Sequence, residues 1–174
     1  MVLNLETNME WCGKRFPVFS DYEVGVSELG EIQYLNANVY QDDGHCANDP
    51  AIQATFQHVI NAYDPSTWNM KGYGVTTDSA SNTWCRSPGS TEGIALIETI
   101  MEHIASVVKR DPIDVRIINM VKEGNPLPQM IQDVKKLADY DKRSKEVDNF
   151  NKENRWKKRG ITLVPMNYPF QYWG

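Results

Sequence analysis

Ser81-Asn82-Thr83-Trp84-Cys85-Arg86-Ser87-Pro88-Gly89-Ser90-Thr91-Glu92-Gly93 joins an extended run to a long amphipathic helix through a turn of small residues. Small side chains and glycine let a ligand approach the backbone. The first turn of the following helix adds unpaired N–H groups at the positive end of its dipole. One cation, Arg86, sits inside the turn. The same features suit a turn that only reverses the chain, so anion binding and simple connection both stay open.

Downstream, Ile94, Ile97, Ile100, Met101, Ile104, Val107 and Val108 recur at helical spacing, which predicts a helix with one buried face. Asp111-Pro112 stops it and starts a short helix carrying Ile113, Val115, Ile117, Ile118 and Met120. Pro126 and Pro128 make Gly124-Asn125-Pro126-Leu127-Pro128 an extended loop. From Gln129 to about Trp156 the chain reads as one charged helical arm, with Met130, Ile131, Val134, Leu137, Val147 and Phe150 on one side. Gly160 to Pro165 reads as a buried strand, and the aromatic run from Tyr168 to Trp173 needs cover from other protein.

Upstream, Asp21 to Ser27 alternates polar and apolar, Glu28-Leu29-Gly30 turns, and Glu31 to Gln41 continues extended: a β-hairpin. Asp49 is the expected N-cap, and Pro50 the first-turn residue, of a helix to about Tyr63 carrying Ile52, Phe56, Val59 and Ile60. Lys71 to Thr77 is extended again. The expected class is α+β, a hairpin and mixed strands packed with helices. Its regions are the hairpin at about 16–41, the loop and helix at about 71–110, the charged arm at about 129–156, and a strand and pocket segment at about 160–174.

A composition of 41% hydrophobic and 24% charged residues in 174 supports one domain with a real core. The net charge of -5 argues against nucleic acid, which needs a concentrated positive field. The basic run Arg155 to Arg159, beside Glu146, Asp148 and Glu153, reads as a solvated helix end. No apolar run approaches the roughly 18 residues of a membrane span, and no secretory signal opens the chain, so a cytoplasmic setting is expected. Cys12, Cys46 and Cys85 form no CxxC pair, which disfavours structural zinc or an iron–sulfur centre within this chain. His45 reads as loop packing, and His58 and His103 as ordinary helical histidines.

Three motifs resemble one family. Gly13-Lys14-Arg15-Phe16-Pro17 with Tyr22-Glu23-Val24-Gly25 is similar to a segment of the molybdenum-binding region of xanthine dehydrogenases and aldehyde oxidases. Asn82 to Gly89 resembles that family's Asn-Thr-x-Phe-Arg-Gly-Phe-Gly-Gly loop, and Phe150 to Gly160 its FNxxNxWKKRG run. The resemblance implies an internal piece of a longer homodimeric enzyme holding molybdenum-molybdopterin, FAD and two 2Fe-2S clusters. It implies no catalytic residue here, because the family's base glutamate lies downstream of Trp173.

By the same resemblance, Arg86 falls on the loop arginine whose backbone, not side chain, faces the molybdenum centre. Ala54 stands where xanthine dehydrogenases keep a purine-orienting arginine, and Pro88 where they keep a stacking phenylalanine. Tyr172 and Trp173 align with the pair that closes the other side of the substrate pocket. These departures point to an aldehyde oxidase acting on small hydrophobic aldehydes, with water as oxygen source and dioxygen as electron acceptor. The alternatives are a xanthine dehydrogenase or oxidase fragment, and a non-catalytic anion-binding α+β module.

Overall fold

The alternation around Asp21–Ser27 matures into a strand longer at its start than the pattern suggests, in a computed structural model that describes residues 2–11 and 13–168. A short helix that the sequence does not announce, α1 (Leu5–Trp11), precedes it and buries none of its residues. β1 (Val18–Val26) returns antiparallel onto β2 (Ile32–Gly44), with a register shift at Gly25/Val26. The turn between them has Gly30 at φ 84, a left-handed value that a side chain resists. Ser27 Oγ accepts from the N–H groups of Leu29 and Glu31 there.

After β2 the chain makes α2 (Ile52–Val59) and then β3 (Trp68–Thr76), which pairs parallel to β2. The sheet is therefore mixed, in the order β1-β2-β3. Parallel pairing follows from the α2 crossover, which brings the chain back to the same end of the sheet. Leu35 and Val39 of β2 and Val59 of α2 are buried between the layers.

α3 (Ser90–Val108) supplies the centre of the core through Ile97, Ile100, Met101 and Ile104. Val107 is 64% exposed, because the stripe turns away before Lys109 ends the helix in a left-handed conformation. α4 (Pro112–Asn119) begins where Asp111 accepts from the Ile113 N–H at 2.7 Å. At its far end Asn119 accepts from the Ile32 N–H and donates to the Gly30 carbonyl, both at 2.8 Å, pinning the hairpin turn to α4.

Four expectations are corrected. Asp49 does not cap α2: the helix starts at Ile52 after Ala51 with no side-chain cap, and stops at Val59 because Asn61 turns left-handed at φ 48. The Gly124–Pro128 segment is not wholly loop, since α5 (Leu127–Leu137) begins inside it. Prolines are tolerated in that first turn because its N–H groups have no helical partner to lose. The arm is two helices, with Asp139 at φ 46 separating α5 from α6 (Tyr140–Glu153). Of its apolar side, Ile131 is buried, whereas Met130, Val134 and Leu137 are exposed.

Finally, residues 160–165 form no strand; they run as an irregular strap with Pro165 buried. The basic run 155–159 is exposed throughout. No helix among the described residues is long and apolar enough to cross a membrane. Cys46 and Cys85 are free and exposed, and Cys12 lies outside the described residues.

Candidate functional site

The turn between β3 and α3 is tied down at both of its ends. Asp42, at the end of β2, accepts from the Gly44 N–H and the Thr77 hydroxyl, both at 2.8 Å. The Gly44 bond, then the Thr77 bond, hold its carboxyl below the ordinary carboxylate range. Asn82 is buried and donates from Nδ2 to the Asp42 carbonyl at 2.8 Å, while its N–H reaches the Asp43 carbonyl. The Thr83 N–H donates to the Lys14 carbonyl at 3.0 Å. A β-carbon at Gly13 would lie 2.2 Å from the Ser81 carbonyl oxygen, so this crossing requires glycine.

Arg15 completes the restraint. Its Nη1 donates to the Ser87 carbonyl at 3.3 Å and to Glu92 Oε1 at 3.1 Å, and its Nη2 donates to the Arg86 carbonyl. In a trans peptide the N–H points opposite to the C=O. Drawing the Arg86 carbonyl towards Arg15 therefore sends the Ser87 N–H to the other side of the turn. Ser87 itself sits at φ 57.

Gly89, left-handed at φ 73, opens α3 without any side-chain cap. A β-carbon there would meet Thr55 N at 2.5 Å and Ala54 Cβ at 2.6 Å; one at Gly93 would meet the Thr55 carbonyl at 2.5 Å. The first turn of α3 thus lies directly on α2, and Ala54 and the Pro88–Gly89 corner become neighbours. Ser90 Oγ and Glu92 Oε2 are buried here with no hydrogen-bond partner among the described residues. Arg86 is exposed. Tyr172 and Trp173 lie outside the described residues.

An uncapped helix start, a turn whose carbonyls are drawn back by Arg15, and a buried unpartnered hydroxyl suit a group rich in oxo and phosphate oxygens. The residues present therefore fit a molybdenum–molybdopterin group. A separate cavity of about 560 Å³, lined by Glu31, Asp64, Asn119 and Lys122 among others, includes none of these residues.

Sequence reasoning missed two features. Arg15 stands inside a quoted motif, but nothing local indicates that its partners lie at positions 86, 87 and 92. Glu98, an acid within the apolar stripe of α3, is the second. Its Oε1 accepts from Asn61 Nδ2 at 2.8 Å and Tyr63 OH at 2.6 Å, and its Oε2 from Arg116 Nε at 2.7 Å. Burial, then the Glu98 charge, pushes the Tyr63 phenol far above its usual value.

Residues 1–120 match the family described as molybdopterin cofactor-binding domain. The chain is 29% identical, over 99% of its length, to nicotinate hydroxylase of Emericella nidulans and to xanthine dehydrogenase of Oryza sativa subsp. japonica, and spans 14% of each. It shares its fold with aldehyde oxidoreductase from Desulfovibrio gigas, with a TM-score of 0.69 and 19% identity over 83% of this chain and 17% of that one. With its first 120 residues matched, and with an Arg15-restrained turn opening onto α3, the chain belongs to the molybdopterin cofactor-binding domain family.

Proposed function

We propose that residues 81–93, together with α2, form part of the wall of a molybdenum cofactor site in a longer molybdenum hydroxylase. Its substrate on this reading is a hydrophobic aldehyde, oxidised to the carboxylic acid with water supplying the oxygen. The observation that carries the site is the hold of Arg15 on the carbonyls of Arg86 and Ser87. It leaves the turn's other side to present N–H groups beside the uncapped start of α3, in a chain of this family.

When bound, molybdenum–molybdopterin supplies the two-electron oxidation centre. The chain's own contribution is binding and shape. Arg86 backs the turn with positive charge, and Ala54, on α2 against Gly89, presents a methyl group and no directional donor. A guanidinium at that place would reward a polar heterocycle with paired hydrogen bonds; a methyl group favours an apolar substrate. Pro88 extends the same wall; Tyr172 and Trp173 are assigned to the opposite side of the pocket by the family resemblance alone. The base glutamate, FAD and two 2Fe-2S clusters belong to the rest of a cytoplasmic, homodimeric parent that passes electrons to dioxygen.

A purine is the second reading, favoured by the 29% identity to a xanthine dehydrogenase. Molybdenum content and turnover of the full-length parent separate the possibilities. Oxidation of an aliphatic aldehyde well ahead of xanthine is expected; equal efficiency on xanthine overturns the substrate, and a parent free of molybdenum overturns the site.

A further inference from the structure

The basic run at 155–159 is exposed throughout, yet its backbone and two of its side chains are fixed. Where α6 ends, Asn154 donates from Nδ2 to the Phe150 carbonyl at 2.9 Å. Asn151 then closes the loop that follows: its Nδ2 donates to the Arg159 carbonyl and its Oδ1 accepts from the Arg159 N–H, both at 2.9 Å. Lys158 Nζ donates to the Asn151 carbonyl. The Arg159 guanidinium lies 3.9 Å from the centre of the Phe150 ring and that of Arg155 4.7 Å from the centre of the Trp156 ring, so cation–π contacts place both. Within this closed loop Trp156 is 86% exposed. An indole held in water on a fixed backbone, beside cations, is built as an anchor: it offers a large apolar area with little conformational freedom left to lose.

The same chain carries a surface of opposite character. The cavity of about 560 Å³ has apolar wall at Ile118 and Val121 and carboxylates at Glu31, Asp64 and Glu123. Among the described residues its one cation is Lys122, whose Nζ is 4.0 Å from Glu31 Oε1 with the side chain 84% exposed, a pair that neutralises little. None of residues 154–160 lines the cavity, so the loop does not fill it in its own chain. Charge is divided in the same way over the whole molecule. The run 155–159 holds four of the 18 cations, and the remaining 14 are set against 23 Asp and Glu. A second copy therefore meets the loop with an acidic surface and with a cleft of ligand size.

We propose that the 154–160 loop docks into this cavity on a second copy of the parent: Trp156 packs against Ile118 and Val121, and Arg155 and Lys157 face Glu31, Asp64 and Glu123. Two copies related by a two-fold axis make the contact twice, each giving one loop and receiving one. The indole supplies most of the affinity, and the opposed charges supply encounter rate and register. Neither molybdenum nor substrate enters the contact, so its failure and that of the pocket reading are separate results.

The test mixes isotope-labelled and unlabelled full-length parent. Carbodiimide cross-linking is expected to join Lys157 or Lys158 to Glu31, Asp64 or Glu123, with one labelled and one unlabelled peptide in each product. Subunit exchange, followed by mass, should run roughly tenfold faster in Trp156→Ala, with the melting temperature unchanged. Lys157→Glu should speed exchange less. Asp64→Lys with Glu123→Lys should speed it about as much as Trp156→Ala, and adding Trp156→Ala to that pair should do little more, because both ends of one contact are then already broken. Adding Lys157→Glu to the same pair should slow exchange part of the way back. A monomeric parent overturns the proposal, and so does unchanged exchange in Trp156→Ala. Losses that simply add overturn the match of loop to cavity. Cross-links confined to peptides of one label overturn the second copy as occupant, since the loop then meets its own polypeptide.

Discussion

Arg15 Nη1 donates to the carbonyl oxygen of Ser87 at 3.3 Å, across 72 positions of sequence. The same guanidinium pairs with Glu92, whose side chain is only 7% exposed. Arg15→Ala is expected to lower stability by about 2 kcal/mol, since it leaves a buried carboxylate and two carbonyls without their charged donor. Urea unfolding measures the loss. Adding Glu92→Gln should recover part of it by removing the stranded charge. Arg15→Lys should fall between, because an ammonium cannot fork across three acceptors.

Arg116 is 1% exposed and bonded to both Glu98 and Glu102. Burial pulls its pKa down, but the bonds to those carboxylates leave it above the ordinary value, so the group stays charged. Arg116→Met should cost about 3–5 kcal/mol, because Glu98 is left buried and uncompensated. The double variant with Glu98→Gln should lose clearly less. Denaturant midpoints of the two variants settle the order, and equal losses would contradict it.

His58 is buried, its Nδ1 lacks a partner among the described residues, and burial lowers its pKa. The unfolded imidazole takes up a proton near about pH 6.5, whereas the folded one does so only at lower pH. Its contribution is therefore intact above that value and is lost as pH falls from there through the folded pKa. His58→Phe should keep the aromatic contact with Tyr168 and remove this loss. Urea midpoints for the two proteins should run parallel at pH 7–8 and separate towards pH 5, with the wild type falling further.

Gly93→Ala would place a methyl group 2.5 Å from the Thr55 carbonyl and 2.8 Å from Val59 N, both backbone atoms that cannot rotate away. A net loss of about 1–3 kcal/mol is expected from the displaced helices, even though alanine favours a helix by about 1 kcal/mol over glycine. At Gly160 an added β-carbon meets nothing within 4 Å. Gly160→Ala should leave the melting temperature nearly unchanged, which makes it the matched control.

What could be read from the sequence were the features set by local periodicity. The α3 stripe, the hairpin alternation and the Asp111 cap all appear as expected because each depends on residues within a turn or two. The Asp49-Pro50 cap was misread because a good capping pair does not fix where the first helical bond closes. The strap at 160–165 carries a β-like pattern, but the chain is held at its two ends, at Arg159 and at Pro165 and Asn167, by the side-chain amides of Asn151 and Asn61. No pattern of apolar residues encodes that hold. Around the candidate site, the small-residue turn leading into α3 was legible. The parallel neighbour of β3 and the hold of Arg15 were not, because both depend on chain segments far apart in sequence.

That separation imposes an order of assembly. The turn before α3 takes its shape from a guanidinium 71 and 72 residues upstream, and the strap from an amide 104 and 106 residues away. Closing such long loops is entropically unfavourable until the intervening segments are already packed. The hairpin and the α2–α3 pair are expected to come together first, and the turn and the strap to be finished last. A nascent chain holding only the first half of this sequence would already carry Arg15 and most of the turn, but neither Glu92 nor the helix onto which the turn opens.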